Sequence, residues 1–191
     1  MDRTKIREQL EGKLTKKRYE HSISVSYTAA AMAMVHGVDI EQAALAGLLH
    51  DCAKCYSAEE KLKRCKKLHL SINAFEKKNP ELLHAKLSAY YAQTRYGVED
   101  EAVLSAITWH TTGKAAMSDL DKIIYIADYI EPNRKPLPEI EQIRKEAFED
   151  LDRCLVHILN NTITYLMKQD PDNIDSITLE TYRYYMTNDI H

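Results

Sequence analysis

The sequence predicts an all-α fold built as a single domain. Three observations carry that prediction. Glycine and proline occur only 5 times each in 191 residues, too few for the many turns of an all-β chain. Helix-opening residues, such as Ser57 with Glu60 and Ser118 with Asp121, recur ahead of periodic runs. Apolar residues such as Leu151, Leu155, Ile158, Leu159, Ile163 and Leu166 stand three or four apart, on one face of a helix.

The elements follow in order. Residues 2–14 predict a short amphipathic helix ending near Gly12. Residues 19–36 are rich in Ala, Met and Val, so a neighbouring helix can approach closely, and Gly37 suits the left-handed residue after a helix end. Asp39 with Gln42 opens a third helix, 40 to about 51. Ser57 and Glu60 open a basic, exposed helix through Leu68. Asn79-Pro80 sets a cap before a proline at the first helical position, and that helix runs to about 96, where Gly97 stops it. Residues 98–110 predict a helix ended by Thr111-Thr112-Gly113. Ser118 and Asp121 start the next, which Pro132 ends. Residues 139–169 predict one long helix, broken by Asp170-Pro171-Asp172. A last helix, about 176–187, packs on the rest. The longest irregular piece, 131–138, has three prolines in eight residues. It is a loop inside one domain, and such loops often carry function.

Composition narrows the function. The 26 Lys and Arg against 29 Asp and Glu leave a formal net charge of -3. That balance argues against binding nucleic acid or membrane by bulk charge, though it leaves room for a local basic patch. No run approaches the ~18 apolar residues of a membrane span, and the charged N-terminus has no apolar signal core. A cytoplasmic protein is expected, with Cys52, Cys55, Cys65 and Cys154 as reduced thiols. Cys52 and Cys55 have redox-pair spacing without the surroundings of a redox or zinc motif.

Eight histidines are the unusual count. His21, the pair His50-Asp51, His84, His110 and Asp128 stand at predicted helix ends or near helix starts. Imidazole nitrogen with carboxylate oxygen suits Zn, Fe, Mn or Co. Six such groups exceed the four of a structural zinc and are about right for two ions sharing a bridging carboxylate. Neighbours on a helix point about 100° apart, but at a helix C-terminus His50 and Asp51 can both turn to one centre. Taken singly, each histidine also reads as a cap or a packed core residue. Asp128 lies in an apolar run, where either a metal or an arginine would offset its charge. His36, His69, His157 and His191 read as structural, and Trp109 as packed behind the metal site.

His21, His50-Asp51 and Asp128 resemble the H…HD…D signature of the HD-domain metal-dependent phosphohydrolases. Longer stretches are more specific: Arg18-Tyr19-Glu20-His21-Ser22, His50-Asp51-Cys52-Ala53-Lys54, Leu82-Leu83-His84-Ala85, Trp109-His110-Thr111-Thr112-Gly113, and residues 121–134 from Asp121 through Asp128 to Arg134. Together, over about 15–170, they are similar to the YqeK family of symmetrical diadenosine tetraphosphate (Ap4A) hydrolases. The resemblance implies an HD-domain helical bundle with two metal ions, iron first and Mn, Co or Zn also compatible. It implies cleavage of Ap4A into two ADP by a metal-bridging hydroxide. His21, His50, Asp51 and Asp128 would hold one ion, and Asp51 would bridge to a second held by His84 and His110. Asp51 and Lys54 would be catalytic. Arg18, Lys54, Thr111, Gly113 and Arg134 would contact substrate.

Two stretches depart from the family pattern. Lys135-Pro136-Leu137-Pro138-Glu139 replaces a Pro-Gly step, and Lys86-Leu87-Ser88 follows His84 where small residues are usual. The rivals are an HD nucleotidase, a cyclic-dinucleotide phosphodiesterase and a catalytically inactive nucleotide-binding sensor. His84 and His110 favour a two-ion site, the paired-histidine and Gly-Tyr-Pro features of the cyclic-dinucleotide enzymes are missing, and a complete ligand set argues against lost turnover. The expected partner is a small nucleotide, with no nucleic acid or membrane, and a homodimer is compatible with the sequence.

Overall fold

A computed structural model describes residues 3–135, 137–171 and 173–188. Among these the chain is helical throughout, with no strand. The elements are α1 (Arg3–Glu11), α2 (Lys16–His36), α3 (Ile40–Leu49), α4 (Ala58–Lys67), α5 (Ala74–Lys78), a 3-10 turn (Pro80–Leu82), α6 (Leu83–Tyr96), α7 (Glu101–Trp109), α8 (Asp119–Ile130), α9 (Ile140–Glu146), α10 (Leu151–Gln169) and α11 (Ser176–Asn188).

The centre of the bundle is α2, α3, α7 and α8, with α6 and α10 against them. Val25, Ala29, Leu48, Leu49, Ile107 and Ile123 are fully buried there. Small residues bring α2 and α3 close, as their composition predicts. A Cβ at Gly47 would lie 2.9 Å from Ser26 Cα, and the Ser26 hydroxyl donates to the Ala44 carbonyl at 2.7 Å. Gly37 and Gly97 take φ of 69° and 66° after α2 and α6. The expected capping boxes form at Ser57/Glu60 and Ser118/Asp121, and the Asp39 side chain accepts from Gln42 N–H.

Several elements differ from expectation, among them α7, which starts at Glu101 rather than 98 because Asp100 caps it. Helix α2 starts at Lys16 rather than 19, because Thr15 caps it by accepting from the Arg18 N–H. Asn79-Pro80 opens a 3-10 turn, and α6 begins only at Leu83. The short α5 was not expected; its signal is the Asn73/Glu76 capping box. The run 139–169 is two helices. The Asp150 side chain accepts from the Asp152 and Arg153 amides and starts α10 afresh. Asp150 N–H closes the preceding turn on the Glu146 carbonyl. A single cap outweighs a continuous apolar stripe there. His191 and Asp172 of the helix-breaking triplet lie outside the described residues.

Candidate metal centre

Each candidate ligand stands where a helix begins or ends. Leu48 and Leu49 bury the last turn of α3. His50 keeps helical backbone and donates its N–H to the Ala46 carbonyl. The chain then tightens from Asp51, with Lys54 N–H on the Asp51 carbonyl, so both side chains turn inward. His84 is the second residue of α6, His110 follows α7, His21 sits in the second turn of α2 and Asp128 in the last turn of α8. All six side chains converge, in overlapping groups of His21, His50 and Asp51; His50, His110 and Asp128; and Asp51, His84 and His110.

Proton accounting shows what this cluster lacks. His50, His84 and His110 each place Nδ1 on the carbonyl three residues back: Gly47 at 2.7 Å, Glu81 at 2.5 Å and Ile107 at 2.7 Å. A carbonyl only accepts, so Nδ1 carries the proton and a neutral ring leaves Nε2 as a bare lone pair. Yet His84 Nε2 and His110 Nε2 lie 3.1 Å apart. Asp51 Oδ1 is 3.1 Å from His84 Nε2 and is buried without a hydrogen-bond donor. Lone pairs facing lone pairs, in a dry pocket, call for a cation. The residues therefore fit divalent metal, and the histidines carry the outer partners that orient metal ligands.

Asp51 is central to that fit. Its Oδ1 faces His84 and His110 at 3.1 and 3.7 Å, and its Oδ2 faces His50 and His21 at 3.6 and 3.8 Å. Burial pushes His50 down to about 4 and lowers His84 too, against the pull of Asp51. Burial works against ionising Asp51, but His50, His84 and His110 hold it well below the usual carboxylate range. Burial likewise opposes ionisation of Asp128, yet the hydrogen bond to His21 and the charges near it hold it low.

His21 differs from the other three. Its Nδ1 meets Glu131 Oε1 at 3.0 Å, and its Nε2 faces both Asp128 Oδ1 at 3.1 Å and His50 Nε2 at 3.3 Å. Burial pulls its pKa down, but Asp128 and Glu131 together leave it raised. Glu131 was missed from sequence. It is buried at 2% exposure and its second oxygen accepts the Asn133 N–H at 2.7 Å. A signal existed: an acid at the C-terminal end of α8 opposes the helix dipole, so it needs another reason to be there.

Three cations rim the cluster. Arg18 Nη1 donates to Asp51 Oδ2 at 2.5 Å, and Arg134 Nη1 to Asp128 Oδ1 at 3.0 Å. Lys54 Nζ lies against the His84 ring, 3.2 and 3.3 Å from its two nitrogens. A cleft of about 260 Å³ opens beside them, lined by Arg18, His21, Asn133 and Arg134. Thr111 Oγ1 reaches within 3.4 Å of His84 Nε2.

Gly113 does not suit an oxyanion. Its N–H is committed to the Trp109 carbonyl at 2.8 Å, and a Cβ there would meet Thr181 at 2.6 Å. Its place is explained by a left-handed turn under α11. Trp109, expected behind the metal site, lines a surface groove with Lys86, Ala89 and Tyr90. His36 bonds the Ala147 carbonyl, His157 sits between Glu139 and Glu146, and His69 is exposed. Burial raises the Cys52 thiol to about 12, and Cys55 is a free exposed thiol, which fits no redox pair.

The fold and cluster define the class, and a family match agrees: the chain belongs to the HD domain family, matched over residues 18–133. Within that class it belongs with the symmetrical bis(5'-nucleosyl)-tetraphosphatases. The proteins of that name are 42% identical over 95% of this chain and 96% of the relative in Halalkalibacterium halodurans. In Bacillus subtilis the figures are 40%, over 82% of this chain and 83% of the relative. A crystal structure from Clostridium acetobutylicum, described as a predicted HD superfamily hydrolase involved in NAD metabolism, superposes with a TM-score of 0.92 at 38% identity, covering 98% of both chains. Among the described residues no helix is long and apolar enough to cross a membrane.

Proposed function

We propose that this chain hydrolyses diadenosine tetraphosphate at its centre, converting Ap4A and water into two ADP. The observation that carries the reading is Asp51, whose two oxygens each face a separate histidine pair in a chain that aligns along almost its whole length with symmetrical tetraphosphatases. His21, His50, Asp51 and Asp128 would hold one ion; His84 and His110, with Asp51 shared, would hold the other. Such a pair neutralises phosphate charge and makes water nucleophilic near neutral pH.

The chain's own groups do the rest. Arg18 and Arg134 reach the cluster from the cleft side and can take phosphate oxygens in their planar forks. Lys54 adds charge at the far rim, and Thr111 offers a hydroxyl beside His84. Asp51 orients both halves of the site, so we assign Asp51 and Lys54 as catalytic. Water oxygen joins one central β-phosphorus, and the bridging oxygen departs with the other ADP. The leaving group is itself a phosphate and needs little protonation. Iron is the first expectation for the metal, with Mn, Co and Zn sharing the ligand preference. Anaerobic elemental analysis finding about two ions per chain supports the pair. A cytoplasmic site of action and self-association, checked by gel filtration, complete the reading.

The direct test is product position. In ¹⁸O-labelled water Ap4A should give ADP alone, with one label in one of each two molecules formed. ATP and AMP in equal amounts would refute central attack. No turnover of Ap4A, with hydrolysis of a mononucleotide or cyclic dinucleotide, would move the reading to the other HD enzymes.

A further inference from the structure

A second cationic cluster lies away from the metal-centre rim, where α4 and α6 meet the start of α2. Tyr56 and Tyr91 pack edge to face with ring centroids 6.0 Å apart. Arg64 Cζ sits 3.7 Å over Tyr56 while its Nη1 donates to the Tyr91 hydroxyl at 3.4 Å. Arg95 mirrors it, 3.7 Å over Tyr91 and 3.4 Å from the Tyr56 hydroxyl. Lys13 Nζ lies 5.2 Å from both ring centroids. Lys13 Nζ and Arg64 Nε are shielded from solvent without a hydrogen-bond acceptor. Among the described residues, the one carboxylate within 4 Å of these three cations is Glu60, 3.9 Å from Arg64 and half exposed.

Three positive charges against a single half-exposed acid make a local field that favours an anion. Arg64 and Arg95 also line one cavity of about 210 Å³ with Lys67 and Thr94. With each Cζ held 3.7 Å over a ring, both guanidinium groups face this cavity, and their planar fork matches phosphate oxygens. One face of each ring is already covered by arginine, which disfavours nucleobase stacking. The ligand is thus defined by its phosphate. We propose that this Tyr–Arg cage is a phosphate-binding site distinct from the metal centre, taking inorganic phosphate or the terminal phosphates of a nucleoside diphosphate. The near-neutral chain concentrates positive charge here on the basic helix α4, which the hydrolase reading leaves unused. Tyr56 N–H also bonds the Ala53 carbonyl at 3.4 Å, in the turn just after Asp51, so an occupant would brace the segment that leaves the catalytic cluster.

The test titrates the metal-loaded protein, carrying isotopically labelled tyrosine, with inorganic phosphate and separately with ADP. Tyr56→Phe and Tyr91→Phe assign the ring resonances. Saturable shifts of the Tyr56 and Tyr91 rings are expected, and the stronger ligand names the source. Arg64→Gln/Arg95→Gln should weaken that binding at least tenfold while leaving Ap4A turnover at low phosphate unchanged. Arg64→Lys and Arg95→Lys, which keep charge and lose the fork, guard against a variant that fails to fold. Arg134→Gln, at the metal-centre rim, should leave the ring shifts in place. Equal shifts with sodium chloride at matched ionic strength, no saturable shift with either anion, or full binding by the double variant would overturn the proposal.

Discussion

His21 and His157 begin from the same local chemistry. Each imidazole lies between two carboxylates: Glu131 and Asp128 for His21 at 3.0 and 3.1 Å, Glu146 and Glu139 for His157 at 2.8 and 3.0 Å. Burial lowers the pKa of both, and in both the carboxylates more than reverse it. The difference lies one contact further out. His21 Nε2 also faces His50 Nε2, with Asp51 behind, and only 10% of its side chain is exposed. His157 meets its two acids near the surface, and the Glu139 side chain is 64% exposed. Flanking acids alone make a clamp; convergence of further bare donor atoms makes a metal site.

Removing Asp51 is the strongest way to break the comparison. Asp51→Ala should abolish binding of both ions and reduce turnover to background, while helical circular dichroism stays near wild type. The reason is that Asp51 alone faces both histidine pairs, whereas helix packing rests on residues such as Val25, Leu48 and Ile107. A variant that keeps two ions per chain on elemental analysis would remove the bridging role.

Glu131 is the acid that His21 shares in kind with His157, and its removal sharpens the contrast. Glu131→Gln keeps the shape and an acceptor for Asn133 N–H but loses the charge behind His21. Metal affinity should fall about 10–100-fold, the usual effect of losing an outer partner. Competition against a chelator of known affinity measures it. An unchanged affinity would make Glu131 a loop anchor only.

These two acids also show what the sequence disclosed. Asp51 was legible because an adjacent His-Asp pair at a helix end has few other uses. His21, His84, His110 and Asp128 were legible as a set, through family motifs, while each alone passed for a cap. Glu131 was hidden because its role depends on the turn after α8, where the chain folds back and Asn133 N–H fixes the carboxylate. The same limit acted on the fold. The helix ends at Gly37 and Gly97 and the helix starts at Ser57 and Ser118 were placed closely, whereas α5 was missed despite its capping box. The division of α9 from α10 was missed because one Asp150 cap is a faint signal beside a long apolar stripe. Gly113 was misread because its neighbour Thr181 is distant in sequence.

The α2–α3 contact carries the cluster, so it separates structure from ligation. Gly47→Ala would put a methyl 2.9 Å from Ser26 Cα, a backbone atom that has little room to yield. Overpacking of this kind costs about 1–3 kcal/mol, to be read from denaturant midpoints at constant slope. Because the Gly47 carbonyl also accepts the His50 proton, metal affinity should fall together with stability. A stable variant with weakened metal binding would show that the two effects are separable.

The smallest effect belongs to His157, and it has a sign. His157 gains its carboxylate partners only in the folded chain, and its folded pKa is raised above the ordinary value of about 6.5. The protonated ring is therefore favoured by folding. Its stabilisation is complete below the unfolded pKa, provided the acids stay ionised, and is lost as pH rises through the folded value. His157→Gln should thus destabilise the protein near pH 6 and much less near pH 9. Because Glu139 is mostly exposed, the difference should stay below about 1 kcal/mol, the range of surface ion pairs. Ap4A turnover and metal content should match wild type at both pH values, because no ring nitrogen of His157 joins the cluster. Paired urea melts at the two pH values measure the sign. A stability loss that grows with pH would reverse the assigned protonation state. A loss of metal would erase the distinction between the two histidines.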